Sequence, residues 1–144
     1  MKLAPRALPE LLAGRRIASV TGTNGKTTTT HFLTAAVRAG TSDSQRSVVT
    51  NADGANLHHG IVSALGQAPD ATIAVLETDE RVVADVVAMG SPEVLVLLNF
   101  SRDQLDRNHE LTFLGRDWRV ALEKAADRGA TVVAIASDPL RVWV

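Results

Sequence analysis

The sequence predicts an α/β fold in which a mostly parallel β-sheet carries helices on both of its faces. Short apolar runs alternate with amphipathic stretches along nearly the whole chain. Two of these runs, residues 72–76 and 94–98, are almost entirely apolar, which is typical of strands buried on both faces. Apolar residues between and after them recur at helical spacing. This alternation favours parallel strands joined by crossover helices.

Each element is predicted from its local pattern. The predicted strands are residues 17–20, 47–50, 72–76, 94–98 and 131–136, the last of them also buried, and the predicted helices are residues 27–39, 60–65, 82–87 and 111–125. In the first of these helices Phe32, Leu33, Ala36 and Val37 share one stripe, which predicts that this stripe faces the core. Residues 1–16 are a predicted lead-in, and residues 17–144 a single domain.

The composition argues against several classes of partner. The chain has 144 residues, a net charge of −1 and only 3% aromatic residues, so neither nucleic acid nor a membrane surface is an expected partner. It has no cysteine, which excludes disulfides and thiolate metal sites within these residues and is compatible with a reducing cytoplasm. No apolar run approaches 18 residues, so we expect no membrane insertion and a cytoplasmic protein.

The strongest functional signal is the segment TGTNGKT, residues 21–27, between the first strand and the first long helix. It resembles a P-loop, with Val20 where the strict pattern has its first glycine. Small residues let main-chain amides converge on phosphate oxygens at a helix N-terminus. Lys26 would neutralise phosphate charge as the catalytic cation, and the Thr27 hydroxyl would bind Mg²⁺. The predicted nucleotide-binding residues are Gly22, Thr23, Asn24, Gly25, Lys26 and Thr27 of this segment, and Thr28, which follows it. We also expect the hydroxyls of the four threonines, residues 27–30, to cap the first helical amides.

Three further polar clusters follow predicted strands, at residues 50–60, 77–80 and 99–107. In parallel sheets, ligands bind beyond the carboxyl ends of the strands, so these clusters should meet the phosphate segment at one edge. Glu77 is a candidate Mg²⁺ ligand or water-orienting group, whereas Asp79 and Glu80 could equally begin the next helix. The cluster at 99–107 could also be a charged helix start. The adjacent His58 and His59 are more typical of surface residues than of a metal pair.

Together these segments resemble the central ATP-binding domain of the Mur ligase family, which is P-loop NTPase-like. That family is marked by T-G-T-N-G-K-T, a glutamate after a buried strand, and N-x-x-x-D-x-x-D-R, all present here in order. The resemblance implies that Asn99, Asp103 and Arg107 help bind ATP, and that Thr27 and Glu77 hold Mg²⁺. More narrowly, the segments TNADGANL, LETDE and RDQLDR resemble the MurT-type subunit of lipid II isoglutaminyl synthase.

The resemblance implies an ATP-dependent ligase that forms carbon–nitrogen bonds in peptidoglycan synthesis. ATP would convert a carboxylate to an acyl phosphate, from which a nitrogen nucleophile displaces phosphate. In the MurT type the carboxylate is the α-carboxyl of D-glutamate in lipid II, which becomes D-isoglutamine, and a GatD-type glutaminase partner supplies ammonia. Two alternatives stay open: another Mur or folylpolyglutamate-type amino-acid ligase, and a non-catalytic nucleotide-binding remnant.

The chain also departs from the family pattern. Gln104 stands where many Mur ligases have a metal-binding histidine, and Arg119 where they have a carbamylated lysine, so a second Mg²⁺ held in that way is not predicted. Ile135 replaces an asparagine of the family segment associated with base recognition. MurT-type proteins continue into a four-cysteine zinc ribbon and a C-terminal domain that these residues do not contain. We therefore expect a fragment or a shortened gene product.

Overall fold

The computed structural model describes residues 6–42, 47–51, 54–99 and 108–135. Its helices are α1 (Ala7–Leu12), α2 (Lys26–Ala39), α3 (His58–Gln67), α4 (Val83–Gly90) and α5 (Asn108–Asp127). Its strands are β1 (Arg16–Thr21), β2 (Val48–Thr50), β3 (Ile73–Glu77), β4 (Val94–Leu97) and β5 (Thr131–Ala134). They form one five-stranded sheet in the order β2-β3-β1-β4-β5, with every pair parallel. The predicted α/β fold with a parallel sheet is confirmed.

The connections place helices on both faces of this sheet. From β1 to β2 the chain moves in one direction along the sheet, and its next three connections move in the other. Because such crossovers are right-handed, α2 lies on one face and α3, α4 and α5 lie on the other. The contacts agree, since α2 packs on β1, β2 and β3, whereas α1 packs on α3 and α4, and α4 packs on α5.

The main core lies on the face of the sheet that carries four helices. One cluster joins α1, α3 and α4 to β1, β2 and β3, and a second joins α4 and α5 to β4. Leu8 and Leu12 of α1 belong to the first cluster. Part of the lead-in predicted for residues 1–16 is therefore a helix that contributes to the core.

The face under α2 is covered less completely. Val96 lies beside Val20 in the sheet register, yet Val20 is fully buried and Val96 is half-buried. All four residues of β5 are exposed. The prediction that the last strand is buried is therefore wrong, because β5 is the edge of the sheet and α2 lies over β1, β2 and β3 instead.

The predicted core stripe of α2 is wrong for Phe32 and Ala36, which are exposed, while Leu33 and Val37 are half-buried. Phe32 is 74% exposed, whereas Thr30 and Thr34 are the buried residues of this helix. The Thr30 hydroxyl donates to the carbonyl oxygen of Lys26 at 2.8 Å, so its polar group is satisfied within the helix and its methyl group can pack on the sheet.

In the ranges that the structure describes, no helix is both long enough and apolar enough to span a bilayer.

Candidate functional site

Residues 22–25 form a tight loop between β1 and α2. Two glycines shape it, and it is called the glycine loop below. Gly22 has φ +136°, and a Cβ there would lie 2.8 Å from the Leu98 Cβ and 2.9 Å from the Asn99 carbonyl oxygen. Gly25 has φ +84° and immediately precedes α2. The loop requires glycine at both positions, for backbone conformation and, at Gly22, also for space.

Asn99, just after β4, holds this loop in place. The amide of Thr23 donates to the Asn99 carbonyl oxygen at 2.8 Å, and the amide of Asn24 donates to Asn99 Oδ1 at 2.8 Å. This differs from the expectation that the amides of the loop converge on phosphate, since an amide that donates to Asn99 is already satisfied. The candidate amides for phosphate are therefore those at the start of α2.

Lys26, the first residue of α2, has its side chain folded back over the loop. Its ammonium donates to the carbonyl oxygens of Gly22 at 2.5 Å and Thr23 at 3.2 Å. Its third neighbour is Glu80, with Nζ 3.7 Å from Oε2. Glu80 was predicted only as an acid that could begin a helix; its pairing with Lys26 depends on how the loops after β1 and β3 meet.

The threonines at the start of α2 do not act as the predicted caps. Gly25 is the N-cap, and no side chain caps the helix. Thr30 bonds to a carbonyl oxygen rather than to an amide. Thr27 is half-buried and Thr28 exposed, so both remain accessible at the helix start, where the positive end of the helix dipole favours an anion.

Glu77 is the last residue of β3 and lies beside Val20 in the sheet register. Its side chain is almost fully buried, at 1% exposure. Oε1 accepts a hydrogen bond from Asn56 Nδ2 at 3.1 Å, while Oε2 is buried and has no hydrogen-bond partner among the described residues. A buried carboxylate oxygen without a donor is costly unless a cation binds there.

Asn51, just after β2, fixes the backbone of Glu77. Its side-chain amide donates to the Glu77 carbonyl oxygen and accepts from the Glu77 amide, both at 2.8 Å. Asn51 and Asn56 were not among the predicted site residues. Their only signal in the sequence was the asparagine-rich segment 50–60, whose contacts could not be assigned without knowing that β2 pairs with β3.

Asp79 has a structural role in the turn before α4. Its carboxylate accepts from the Arg81 amide at 3.0 Å and from Arg81 Nε at 2.8 Å, and its carbonyl oxygen accepts from the amides of Val82 and Val83. Partial burial alone would raise the pKa of Asp79, but the hydrogen bonds and charge of Arg81, with Lys26 nearby, lower that pKa below its ordinary value. Asp79 is therefore ionised and engaged in starting the helix.

The structure brings the described parts of the four polar clusters to one edge of the sheet, as predicted. Asn51 contacts Glu77, Asn99 contacts the glycine loop, and Glu80 contacts Lys26. Three residues singled out in the sequence, Asp103, Gln104 and Arg107, lie outside the described residues.

The two adjacent histidines have different surroundings. His58 Nε2 lies 2.8 Å from Asp85 Oδ2, while His59 is exposed. No group of three or more histidine or acidic side chains suited to a metal occurs within the described ranges. Arg119, on α5, is exposed.

Comparison with known proteins gives consistent results. A family profile described as the Mur ligase middle domain matches residues 20–141. The MurT subunit of lipid II isoglutaminyl synthase (glutamine-hydrolyzing) from Staphylococcus aureus is 33% identical over 125 residues, covering 85% of this chain and 27% of that protein. A UDP-N-acetylmuramate–L-alanine ligase from Nocardioides sp. is 38% identical over 144 residues, covering 96% of this chain and 29% of that protein.

Among solved structures, that of UDP-N-acetylmuramoyl-L-alanyl-D-glutamate–2,6-diaminopimelate ligase matches with a TM-score of 0.56 at 20% identity, covering 83% of this chain and 31% of that one. This likeness shows a shared fold. The chain spans about a quarter of the length of the curated relatives it matches. The match over residues 20–141 covers most of the sequence, and the chain therefore belongs to the Mur ligase family.

Proposed function

We propose that this chain binds ATP and Mg²⁺ at the edge formed by the glycine loop, the start of α2 and Glu77. The observation that carries the proposal is the buried Glu77 carboxylate, whose Oε2 has no partner in the described part of the chain. It ends a strand that pairs directly with β1, the strand leading into the loop that carries Lys26. Binding of ATP with Mg²⁺ requires a carboxylate that can bind the cation, placed beside a loop that can accommodate the phosphates.

The residues present fit Mg²⁺. This ion favours one or two protein oxygen ligands together with phosphate oxygens and water, and it does not need a cage of protein ligands. Glu77 and the Thr27 hydroxyl would supply the protein oxygens. The glycine loop fits the nucleotide phosphates, because it keeps side chains out of the space in front of α2.

The proposed reaction is formation of an amide by an ATP-dependent ligase of peptidoglycan synthesis. ATP supplies the phosphoryl group that turns a substrate carboxylate into an acyl phosphate, and a nitrogen nucleophile then displaces phosphate. Lys26 would neutralise the charge on the transferred phosphoryl group, with the α2 dipole aimed at the same point. Asn51 and Asn56 would keep Glu77 oriented, and Asn99 would hold the loop. Asp103 and Arg107 remain proposed nucleotide contacts from the family motif.

At a finer level, we propose the lipid II isoglutaminyl synthase type, which amidates the α-carboxyl of D-glutamate. The likeness to MurT and the segments TNADGANL, LETDE and RDQLDR support this choice. The proposal implies a glutaminase subunit of the GatD type as partner and lipid II as substrate. This partner and this substrate are proposed by analogy with the whole relative, of which the chain covers 27%.

A second candidate is a ligase that adds an amino acid to a carboxylate, as UDP-N-acetylmuramate–L-alanine ligases do. The 38% identity to one such enzyme over 96% of the chain favours it. The two candidates differ in nitrogen donor. In a full-length protein containing this chain, product formed from glutamine or ammonia supports the amidating type, and product formed only from a free amino acid supports the second.

The nucleotide proposal is tested by titrating the chain with ATP in the presence and absence of Mg²⁺ and measuring heat. We expect binding that depends on Mg²⁺ and weakens by at least about tenfold in Lys26→Ala, because a fixed cation leaves the phosphate site. Lys124→Ala, the same change at an exposed position on α5, is the matched control and should bind as the unmodified chain does. No heat with ATP and Mg²⁺ would overturn the proposal and favour a remnant that has lost nucleotide binding.

A further inference from the structure

The Lys26 ammonium has neighbours on all three of its donor sides, two of them hydrogen-bonded and one ion-paired. An ammonium group has three donors. Two of them are directed at the carbonyl oxygens of Gly22 and Thr23, at 2.5 and 3.2 Å, and the third side of the group faces Glu80 at 3.7 Å. The side chains of Lys26 and Glu80 are only 12% and 13% exposed, so water contributes little. A phosphate that binds Lys26 must therefore compete with Glu80 for the third side of the ammonium group.

Glu80 is held in this position by the fold. Trp118 of α5, 3% exposed, donates from its indole N–H to the Glu80 carbonyl oxygen at 2.8 Å. On the other side, the preceding Asp79 is tied to Arg81 and to the start of α4. The backbone of Glu80 is thus fixed between α4 and α5. It lies just after the carboxyl end of β3, close to the glycine loop. Its carboxylate reaches Lys26 from an anchored position.

Of the three neighbours, Glu80 is the one that a nucleotide would displace. The two carbonyl oxygens belong to the loop itself, whose backbone is locked by Asn99 and by the glycine geometry. Glu80 is instead a flexible side chain at ion-pair distance, beyond the range of a hydrogen bond. It also carries the same sign of charge as phosphate, so the two compete for one cation in a poorly hydrated place.

We propose that Glu80 holds Lys26 in a resting position, and that ATP binds by exchanging the Lys26–Glu80 pair for a contact between Lys26 and phosphate. This inference rests on the proposed nucleotide function and extends it to regulation of the same site. Glu80 is a positioning residue that lowers affinity for any ligand that makes too few further contacts at the site to compete with it. A nucleoside triphosphate with Mg²⁺ displaces it, whereas a monophosphate does not.

The resting pair is tested without nucleotide by a double-mutant cycle. The free energy of unfolding in urea is measured for the unmodified chain, Lys26→Met, Glu80→Gln and the double variant. We expect the double variant to be more stable than the sum of the two single changes predicts, since each single change leaves one charge buried without its partner. If the two single changes in the free energy of unfolding add up to that of the double variant, the proposed interaction between Lys26 and Glu80 is overturned.

The exchange is tested by ATP titration of Glu80→Gln in the presence of Mg²⁺. We expect about tenfold tighter binding of ATP than in the unmodified chain, together with a smaller preference for ATP over AMP. Glu93→Gln is the matched control, since Glu93 lies at the amino end of β4, at the end of the sheet opposite to the glycine loop. It should leave the affinities for ATP and AMP unchanged. Unchanged or weaker binding of ATP by Glu80→Gln would overturn the exchange. Absence of binding in every variant would overturn the nucleotide function, while the cycle without nucleotide would still decide whether the pair exists.

Discussion

The helices α2 and α4 both cross the sheet between parallel strands, but they pack on it through different side chains. α4 buries Val83, Val86 and Val87. α2 buries only Thr30 and Thr34, while Phe32 points into solvent. α4 is held in place by apolar burial, whereas α2 directly follows the loop at residues 22–25 and has no fully buried apolar side chain. The difference teaches that a helix that starts at a constrained loop can cross the sheet with less apolar contact to the core.

The largest expected effect is on the apolar helix. The Val86 side chain is fully buried in a packed apolar cluster, so Val86→Ala removes two methyl-sized groups from that cluster. We expect a loss of about 2 kcal/mol in the free energy of unfolding, from lost transfer energy and the cavity left behind. Urea denaturation measures it. A loss below about 0.5 kcal/mol, the range of ordinary surface changes, would mean that α4 is not the anchor described above.

A substitution on α2 is expected to change the free energy of unfolding by a smaller amount and in the opposite direction. Thr34 is 3% exposed, and its hydroxyl is buried with no partner within the described ranges. Thr34→Val replaces that hydroxyl by a methyl group of similar shape and should stabilise the fold by about 1 kcal/mol. Thr30→Val is the matched control, because the Thr30 hydroxyl has a partner in Lys26. If both variants gained equally, the missing partner of Thr34 would not be the cause.

The start of α4 should show a modest dependence on pH. The pKa of Asp79 is lowered in the folded protein, so its ionised form contributes stability that is present above the unfolded pKa and is lost as the pH falls through the lower folded value. We therefore expect the unfolding free energy to fall below about pH 4. Asp79→Asn should reduce that slope. An identical slope in the variant would show that other carboxylates account for it.

The smallest effect is expected at the exposed phenylalanine of α2. Phe32→Ser should change the unfolding free energy by no more than about 0.5 kcal/mol, because the ring is 74% exposed. The same change within a core stripe would cost several times more. Thermal or urea unfolding distinguishes the two cases, and a loss above about 2 kcal/mol would restore the stripe that the sequence predicted.

Much of the fold was predictable because apolar runs and valine spacing reflect burial directly. The strands, α2 and α3 begin and end within one or two residues of their predicted bounds, and Trp118 and Ala125, in the predicted helix at residues 111–125, are buried. Predictions failed where burial depends on neighbours in space. β5 is as apolar as β3, but it lies at the edge of the sheet. Phe32 fits an apolar stripe, but that side of α2 faces away from the sheet.

The sequence by itself determined the alternation of strands and helices, the glycine loop with Lys26 and Thr27, and an acid at the end of a buried strand. Those features are local, since backbone conformation and periodicity are set by neighbouring residues. Only the tertiary structure decided that Asn51 fixes Glu77, that Asn99 takes two amides of the loop, and that Glu80 meets Lys26. Each of those contacts joins loops from different strands, and the order of strands in a sheet is not encoded in any short stretch of residues.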